Sequence, residues 1–244
     1  EEVNTISEIQ HPVVREMLRN YAEADDCASG YEVIYNADLP SRTGLGSSSA
    51  FTVALLHAYF GNREKMCSNA FLAKEAIHIE QDLLKETVGS QDQIAAAYGG
   101  LNRIDFASDR SFTVKPLGIS AGRRAQLDNS LMLFFTGFTR SADAIEKLKI
   151  ARYNDKTAEL RAIYGMVQEG ENILLDANRN IGEFGELLHH AWSEKRRLDE
   201  SVSNAFIDER YEAGIAAGAL GGKLLGAGGG GFLLMFAPPE KQAA

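Results

Sequence analysis

The stretch DLPSRTGLGSSSAF, residues 38–51, constrains this chain more than any other. It joins a strand-like run, Glu32–Ala37 (EVIYNA), to Ser48–Tyr59, a segment so apolar on almost every side that it predicts a helix buried in a core. The turn between them decides what the junction can hold. Its glycines allow close backbone approach and positive φ, and its serines fall where the first helical turn begins. Free N–H groups there, with the positive end of the helix dipole, suit a phosphate, and serine hydroxyls can reach phosphate oxygens or a bound Mg²⁺. The same residues also fit an ordinary serine N-cap after a tight turn, and spacing alone leaves both readings open. A Walker A loop is excluded, because no Gly-Lys-Ser/Thr follows at the required spacing.

A second glycine tract closes the chain, in AAGALGGKLLGAGGGGFLLMFAPP. Gly226, Gly228 and Gly231 spell a formal G-x-G-x-x-G, but that dinucleotide fingerprint needs a helix at its last glycine, and a strand-like run, FLLMF, follows instead. A glycine-rich loop between two strands suits backbone packed closely on a ligand or on a neighbouring loop.

Winding Phe71–Glu86 at the helical angle gathers Ile79, Leu72, Leu83, Ala76, Ala73, Leu84 and Ile77 into one arc, with Glu80 in its middle. A carboxylate in an apolar stripe calls for a metal ion, a basic partner or hydrogen-bond donors, because desolvating it unpaired is costly. A structural Glu–Arg pair, or a side chain reaching out of the helix end, is the plainer alternative. Asp92 follows in TVGSQDQ, which reads as a polar turn before the small-residue stretch IAAAYGG. Phosphate loop, metal-seeking glutamate and neighbouring aspartate together make a set of parts for phosphoryl transfer.

With 244 residues, 45% of them hydrophobic, the chain can bury a full core as one large domain or two smaller ones. A formal charge of −9 argues against sequence-independent nucleic-acid binding. Cys27 and Cys67 match no metal spacing and no disulfide framework, which favours a reducing compartment. No run approaches the ~18 apolar residues of a membrane span, and EEVNTISEIQ lacks the marks of a secretory signal, so a cytoplasmic protein without a membrane partner is expected. Strands are predicted at Gly100–Phe106 and Ser111–Leu117, a basic connector at Gly122–Asn129, and a buried strand in SLMLFFTGF. Amphipathic helical patterns occupy Asp143–Asp176 and Ile181–Glu194. The connector sets the expected domain boundary, giving residues 1–124 and 125–244.

PSRTGLGSS, Pro40–Ser48, resembles the second motif of the GHMP kinases, Pro-x-x-x-Gly-Leu-Gly-Ser-Ser, and GAGGGG, Gly226–Gly231, resembles their third. The resemblance implies an α+β, two-domain fold with a ribosomal-protein-like N-terminal domain and a ferredoxin-like C-terminal domain. It implies ATP and Mg²⁺ as cofactors, a small sugar or sugar phosphate as partner, and allows a homodimer. Carried over by position, Gly44, Leu45, Gly46, Ser47, Ser48 and Ser49 would wrap the ATP phosphates. Ser48 and Glu80 would ligate Mg²⁺, Asp92 would be the catalytic aspartate, and Ala227, Gly228, Gly229 and Gly230 would support the phosphate loop and substrate.

The strings EAIHIEQDLLKETVGSQDQIAAAYGGLNRIDF and KLLGAGGGGFLLMF look most like the branch that phosphorylates the anomeric hydroxyl of heptose 7-phosphate. A galactose-, fucose- or mannose-type kinase and a catalytically silent sugar- or nucleotide-binding member are the competing readings. Arg140, in TGFTRSA, suits either a distal sugar phosphate or a surface salt bridge. One departure stands out: nothing in EEVNTISEIQHPVVREML resembles the family's first, sugar-binding motif, so the N-terminal strands and part of the substrate pocket are expected to lie outside these residues.

Overall fold

In a computed structural model, residues 2–23, 30–41, 43–139, 146–147, 150 and 152–243 are described. The chain divides into two compact units, residues 1–41 with 46–99, and residues 42–45 with 100–244. This division differs from the 124/125 boundary in where it assigns residues 42–45 and 100–124.

The described part of the first unit is helical. Helix α1 (Pro12–Tyr21) starts on a proline, whose missing N–H is no loss at a helix start, and buries Val13, Val14, Met17 and Leu18. Helix α2 (Ser47–Asn62) packs Val53, Leu56 and Tyr59 into the same core. Helix α3 (Asn69–Ile77), capped by Ser68 accepting from the Phe71 N–H, adds Leu72 and Ala76 and runs on as a π-helical turn over His78–Leu83. Helix α4 (Gln91–Tyr98) follows.

Three expectations change here. Asp92 sits in the first turn of α4 rather than in a polar turn, because the helix begins before the small residues that were its visible signal. Helix α2 is not buried all round: Ala50, Ala54, His57 and Ala58 form an exposed face. Glu32–Ala37 forms no strand and is exposed, since among the described residues no strand lies beside it to pair its N–H and C=O groups.

The second unit contains an antiparallel hairpin, β1 (Asn102–Phe106) with β2 (Phe112–Pro116), registered from Asn102↔Pro116 to Phe106↔Phe112. Helix α5 (Ala121–Ser130), β3 (Leu131–Phe135), α6 (Thr157–Leu175), α7 (Gly182–Arg196), α8 (Ala205–Ala216), β4 (Gly221–Leu224) and β5 (Phe232–Phe236) complete it. Its three-stranded antiparallel sheet has the order β3-β5-β4. Trp192 of α7, Ile207 and Tyr211 of α8, and Leu224, Leu233 and Met235 of the sheet form its main core.

The stretch read as a basic connector is helix α5, capped by Ser120; the Arg123 side chain is buried and donates to the carbonyls of Ile173 and Arg179. Its charge is spent inside the fold, which no local pattern reveals. SLMLFFTGF does supply β3, but as an edge strand, so Leu133, Phe134 and Phe135 stay 45–52% exposed. Of the helical pattern at 143–176, α6 takes Thr157–Leu175 after a 3₁₀ turn at Tyr153–Lys156.

Candidate active site

Gly46 is the N-cap of α2, in the left-handed conformation at φ +70°, and it carries no side chain to cap the helix. The first intrahelical bond runs from the Ala50 N–H to the Gly46 carbonyl at 2.8 Å. The amides of Ser47, Ser48 and Ser49 therefore precede the ladder of a 16-residue helix, at the positive end of its dipole. This separates the two readings of the loop: the cap position falls to a glycine, not to a serine. Ser48 is exposed, while Ser49 is buried.

Glu80 is 2% exposed and lies within the π-helical turn, a feature that often marks functional positions. Its partners are three neutral donors. Ser49 Oγ donates to Oε2 at 3.0 Å, Thr52 Oγ1 to Oε1 at 2.8 Å, and Gln93 Nε2 to Oε2. Burial pushes the Glu80 carboxyl above its ordinary value; the bonds from Thr52, Gln93 and Ser49 pull it back in part, and the charge of Asp92 adds to the rise. Asp92 packs against the loop itself, for a Cβ on Gly46 would sit 3.3 Å from Asp92 Cβ and 3.6 Å from its Oδ2. Glycine at position 46 thus supplies both the positive φ and the room for the aspartate.

Mg²⁺ takes oxygen ligands, keeps several waters and is held by one or two carboxylates together with substrate phosphates. A buried carboxylate that accepts from two hydroxyls and an amide, and that burial pushes above its ordinary value, fits that ion. Among the described residues no group of three or more His, Cys, Asp and Glu could by itself hold a metal ion. The serine hydroxyl that bonds to Glu80 is that of Ser49, while the neighbouring Ser48 is exposed.

The glycine-rich loop of the second unit, residues 225–231, packs backbone on backbone against residues 43–44. A Cβ on Gly226 would lie 2.6 Å from Gly44 Cα, and one on Gly44 would lie 2.7 Å from the Leu225 carbonyl oxygen. The Phe232 N–H donates to the Thr43 carbonyl at 3.1 Å. Gly228, Gly229 and Gly230 are buried, and the Gly229 N–H donates to Val202 O at 2.9 Å. Lys195, at the end of α7, donates to the carbonyls of Leu224 at 3.2 Å and Gly226 at 2.6 Å, holding the loop from its other side.

Sequence reasoning missed Thr52, Gln93 and Lys195. Thr52 had a signal: it stands three residues after Ser49, on the same helical face, as one of few hydroxyls in an apolar segment. Gln93 and Lys195 had none that distinguishes them from surface polar residues. Arg140 and Cys27 lie outside the described residues.

An uncapped helix start after a glycine loop, with two neighbouring carboxylates, is an arrangement suited to holding phosphate groups. Residues 10–100 match the N-terminal domain of the GHMP kinases and residues 172–244 their C-terminal domain, and the chain belongs to that family. It is 33% identical over 207 residues to D-glycero-alpha-D-manno-heptose 7-phosphate kinase of Campylobacter jejuni, covering 84% of this chain and 61% of that protein. It is 30% identical over 216 residues to the bifunctional fucokinase/GDP-fucose pyrophosphorylase of Arabidopsis thaliana, covering 85% of this chain and 20% of that protein. The crystal structure of a D-glycero-D-manno-heptose 1-phosphate kinase from Bacteroides thetaiotaomicron shares the fold, with a TM-score of 0.70 at 24% identity over 99% of this chain and 66% of that one. The chain spans about three-fifths of the length of the Campylobacter relative. No helix among the described residues is long and apolar enough to cross a membrane.

Proposed function

We propose that this chain carries the centre of an ATP- and Mg²⁺-dependent sugar 1-kinase. Its acceptor would be the anomeric hydroxyl of D-glycero-D-manno-heptose 7-phosphate or a closely related sugar. The product would feed nucleotide-activated heptose for surface polysaccharide. The observation that carries the reading is the buried Glu80 carboxylate, held by Ser49 and Thr52 of the very helix whose uncapped N-terminus begins at the glycine loop.

In this reading the amides of Ser47, Ser48 and Ser49 and the helix dipole grip the ATP phosphates. Glu80 and the exposed Ser48 hydroxyl would hold Mg²⁺, which when bound supplies positive charge for the phosphates in a loop that has no lysine. Asp92 accepts the proton of the attacking hydroxyl or orients that hydroxyl. Backbone donors and a fixed aspartate provide positioning and electrostatic stabilisation, the two contributions phosphoryl transfer depends on most. The glycine-rich loop, pinned by Lys195, keeps the backbone of Thr43 and Gly44 in place. The heptose assignment rests on the similarity to the Campylobacter enzyme.

A phosphoryl-transfer assay on the full-length protein, comparing heptose 7-phosphate with mannose, galactose and fucose, tests it. Heptose 7-phosphate is expected to give the highest kcat/KM. Fucose in first place would favour a second reading, for which the similarity to the Arabidopsis fucokinase speaks. No transfer to any sugar would reject the kinase and leave a silent binding member of the family.

A further inference from the structure

One of the three donors around Glu80 is itself incomplete. Gln93, in the first turn of α4 and next to Asp92, is fully buried. Its Nε2 donates to Glu80 Oε2, whereas its buried Oε1 has no hydrogen-bond partner among the described residues. An ionised carboxylate only accepts, so it is the amide nitrogen and not the oxygen that must bond to Glu80, which leaves the oxygen to find a donor elsewhere. A glutamine kept only for packing would satisfy both ends or give way to an apolar residue of its size, because a buried carbonyl without a donor destabilises the fold.

We propose that Gln93 is a positioning residue for the Glu80 carboxylate, and that its amide oxygen is the acceptor for a water carried by the divalent cation that Glu80 would hold. The inference rests on the reading of Glu80 as a cation ligand. Two observations give Gln93 this task. It joins α4 to a carboxylate whose other donors, Ser49 and Thr52, both come from α2, so it restrains Glu80 from a separate element. Its free oxygen is also the right chemistry: Mg²⁺ keeps several waters when bound, and each such water is a hydrogen-bond donor in need of an acceptor. Partners that orient a metal ligand without touching the metal typically contribute about 10–100-fold to metal affinity.

The test titrates Mn²⁺ into the full-length protein with a non-hydrolysable ATP analogue, following bound Mn²⁺ by electron paramagnetic resonance. Wild type is compared with Glu80→Gln, Gln93→Met and Gln93→Asn. Gln93→Met keeps length and volume and removes both polar atoms; Gln93→Asn keeps the amide but withdraws it by one methylene, and serves if the methionine variant does not fold. Glu80→Gln should lose the Mn²⁺ site. Gln93→Met should weaken it by about 10–100-fold, with metal-free nucleotide affinity unchanged and turnover recovered at high Mg²⁺.

Wild-type Mn²⁺ affinity in folded Gln93 variants, alongside its loss in Glu80→Gln, would overturn the proposal. Wild-type affinity in Glu80→Gln as well would overturn it by removing the ligand it depends on. Mn²⁺ binding that needs both residues, in a protein that phosphorylates no sugar, would uphold this inference while rejecting the kinase reading.

Discussion

The two glycine-bearing regions of this molecule are built on opposite plans. In the first unit, Glu80 is surrounded by side chains: two hydroxyls and an amide converge on one carboxylate inside an otherwise apolar core. In the second, the loop at 225–231 is nearly all backbone, with glycines packed on Gly44 and Val202 and a lysine bonded to two carbonyls. The first region places chemistry where the fold would rather have carbon, and so it is held at a cost. The second places no reactive group at all, and its task is to fix where a piece of backbone lies. Side-chain changes in the first should therefore alter turnover or metal dependence before stability, and glycine changes in the second should alter stability first.

The largest expected effect is on chemistry. Asp92→Asn should lower kcat by roughly 10²–10⁴-fold, the range of a general base, with KM for ATP little changed; steady-state kinetics check this, and near wild-type turnover removes Asp92 from the mechanism. Glu80→Gln should raise the Mg²⁺ concentration for half-maximal activity by more than the roughly 10–100-fold typical of a residue behind the ligand. An unchanged Mg²⁺ titration would break the comparison, because Glu80 would then be a structural carboxylate.

Gly226→Ala should behave differently. Its φ of +65° and the 2.6 Å approach to Gly44 Cα leave no space for a methyl group, so a loss of about 1–3 kcal/mol, read as a lowered Tm, should precede any change in kcat. Gly99→Ala is the control: φ is +62° but nothing lies within 4 Å of the added carbon, so only the backbone conformation is penalised. With ψ at −179°, Gly99 lies in a region nearly reserved for glycine, so its variant reads backbone strain alone, as a lowered Tm without any steric contact.

The smallest effect sharpens the contrast through pH. Burial raises the Glu80 carboxyl above its ordinary value of 4.5, so the native state holds that proton more tightly than the unfolded state. The stability this contributes is fully present below pH 4.5 and is lost as pH rises through the elevated native value. Without metal, Glu80→Gln should accordingly be more stable than wild type at neutral pH, and the advantage should shrink as the pH falls toward 4.5. Thermal melts across that range read the difference, and a variant less stable at neutral pH would contradict the sign.

Much of the site was legible before the fold was known, because its signals are local. A helix wheel places Glu80 among apolar residues, and GLGSSS announces a turn into a helix start. The helices α2 and α3 and the final strand–loop–strand follow from periodicity and glycine placement in the same way. The errors share a cause: they concern which surface a segment finds to lie against. Glu32–Ala37 has a strand's residues without a neighbouring strand, SLMLFF reaches the sheet at its edge, and Arg123 turns an apparent surface connector into a buried anchor.

By itself, then, the sequence determined the family motifs, the glycine loop and the presence of an out-of-place carboxylate, all properties of residues close together along the chain. Only the tertiary structure decided that Gly46 rather than a serine caps α2, that Ser49, Thr52 and Gln93 are what surround Glu80, and that Lys195 and Gly226 brace Gly44. These partners lie 13 to 31 residues from Glu80 and 31 residues from one another across the loop. At such separations the pairing is set by how helices and strands pack, and side-chain periodicity carries no record of it.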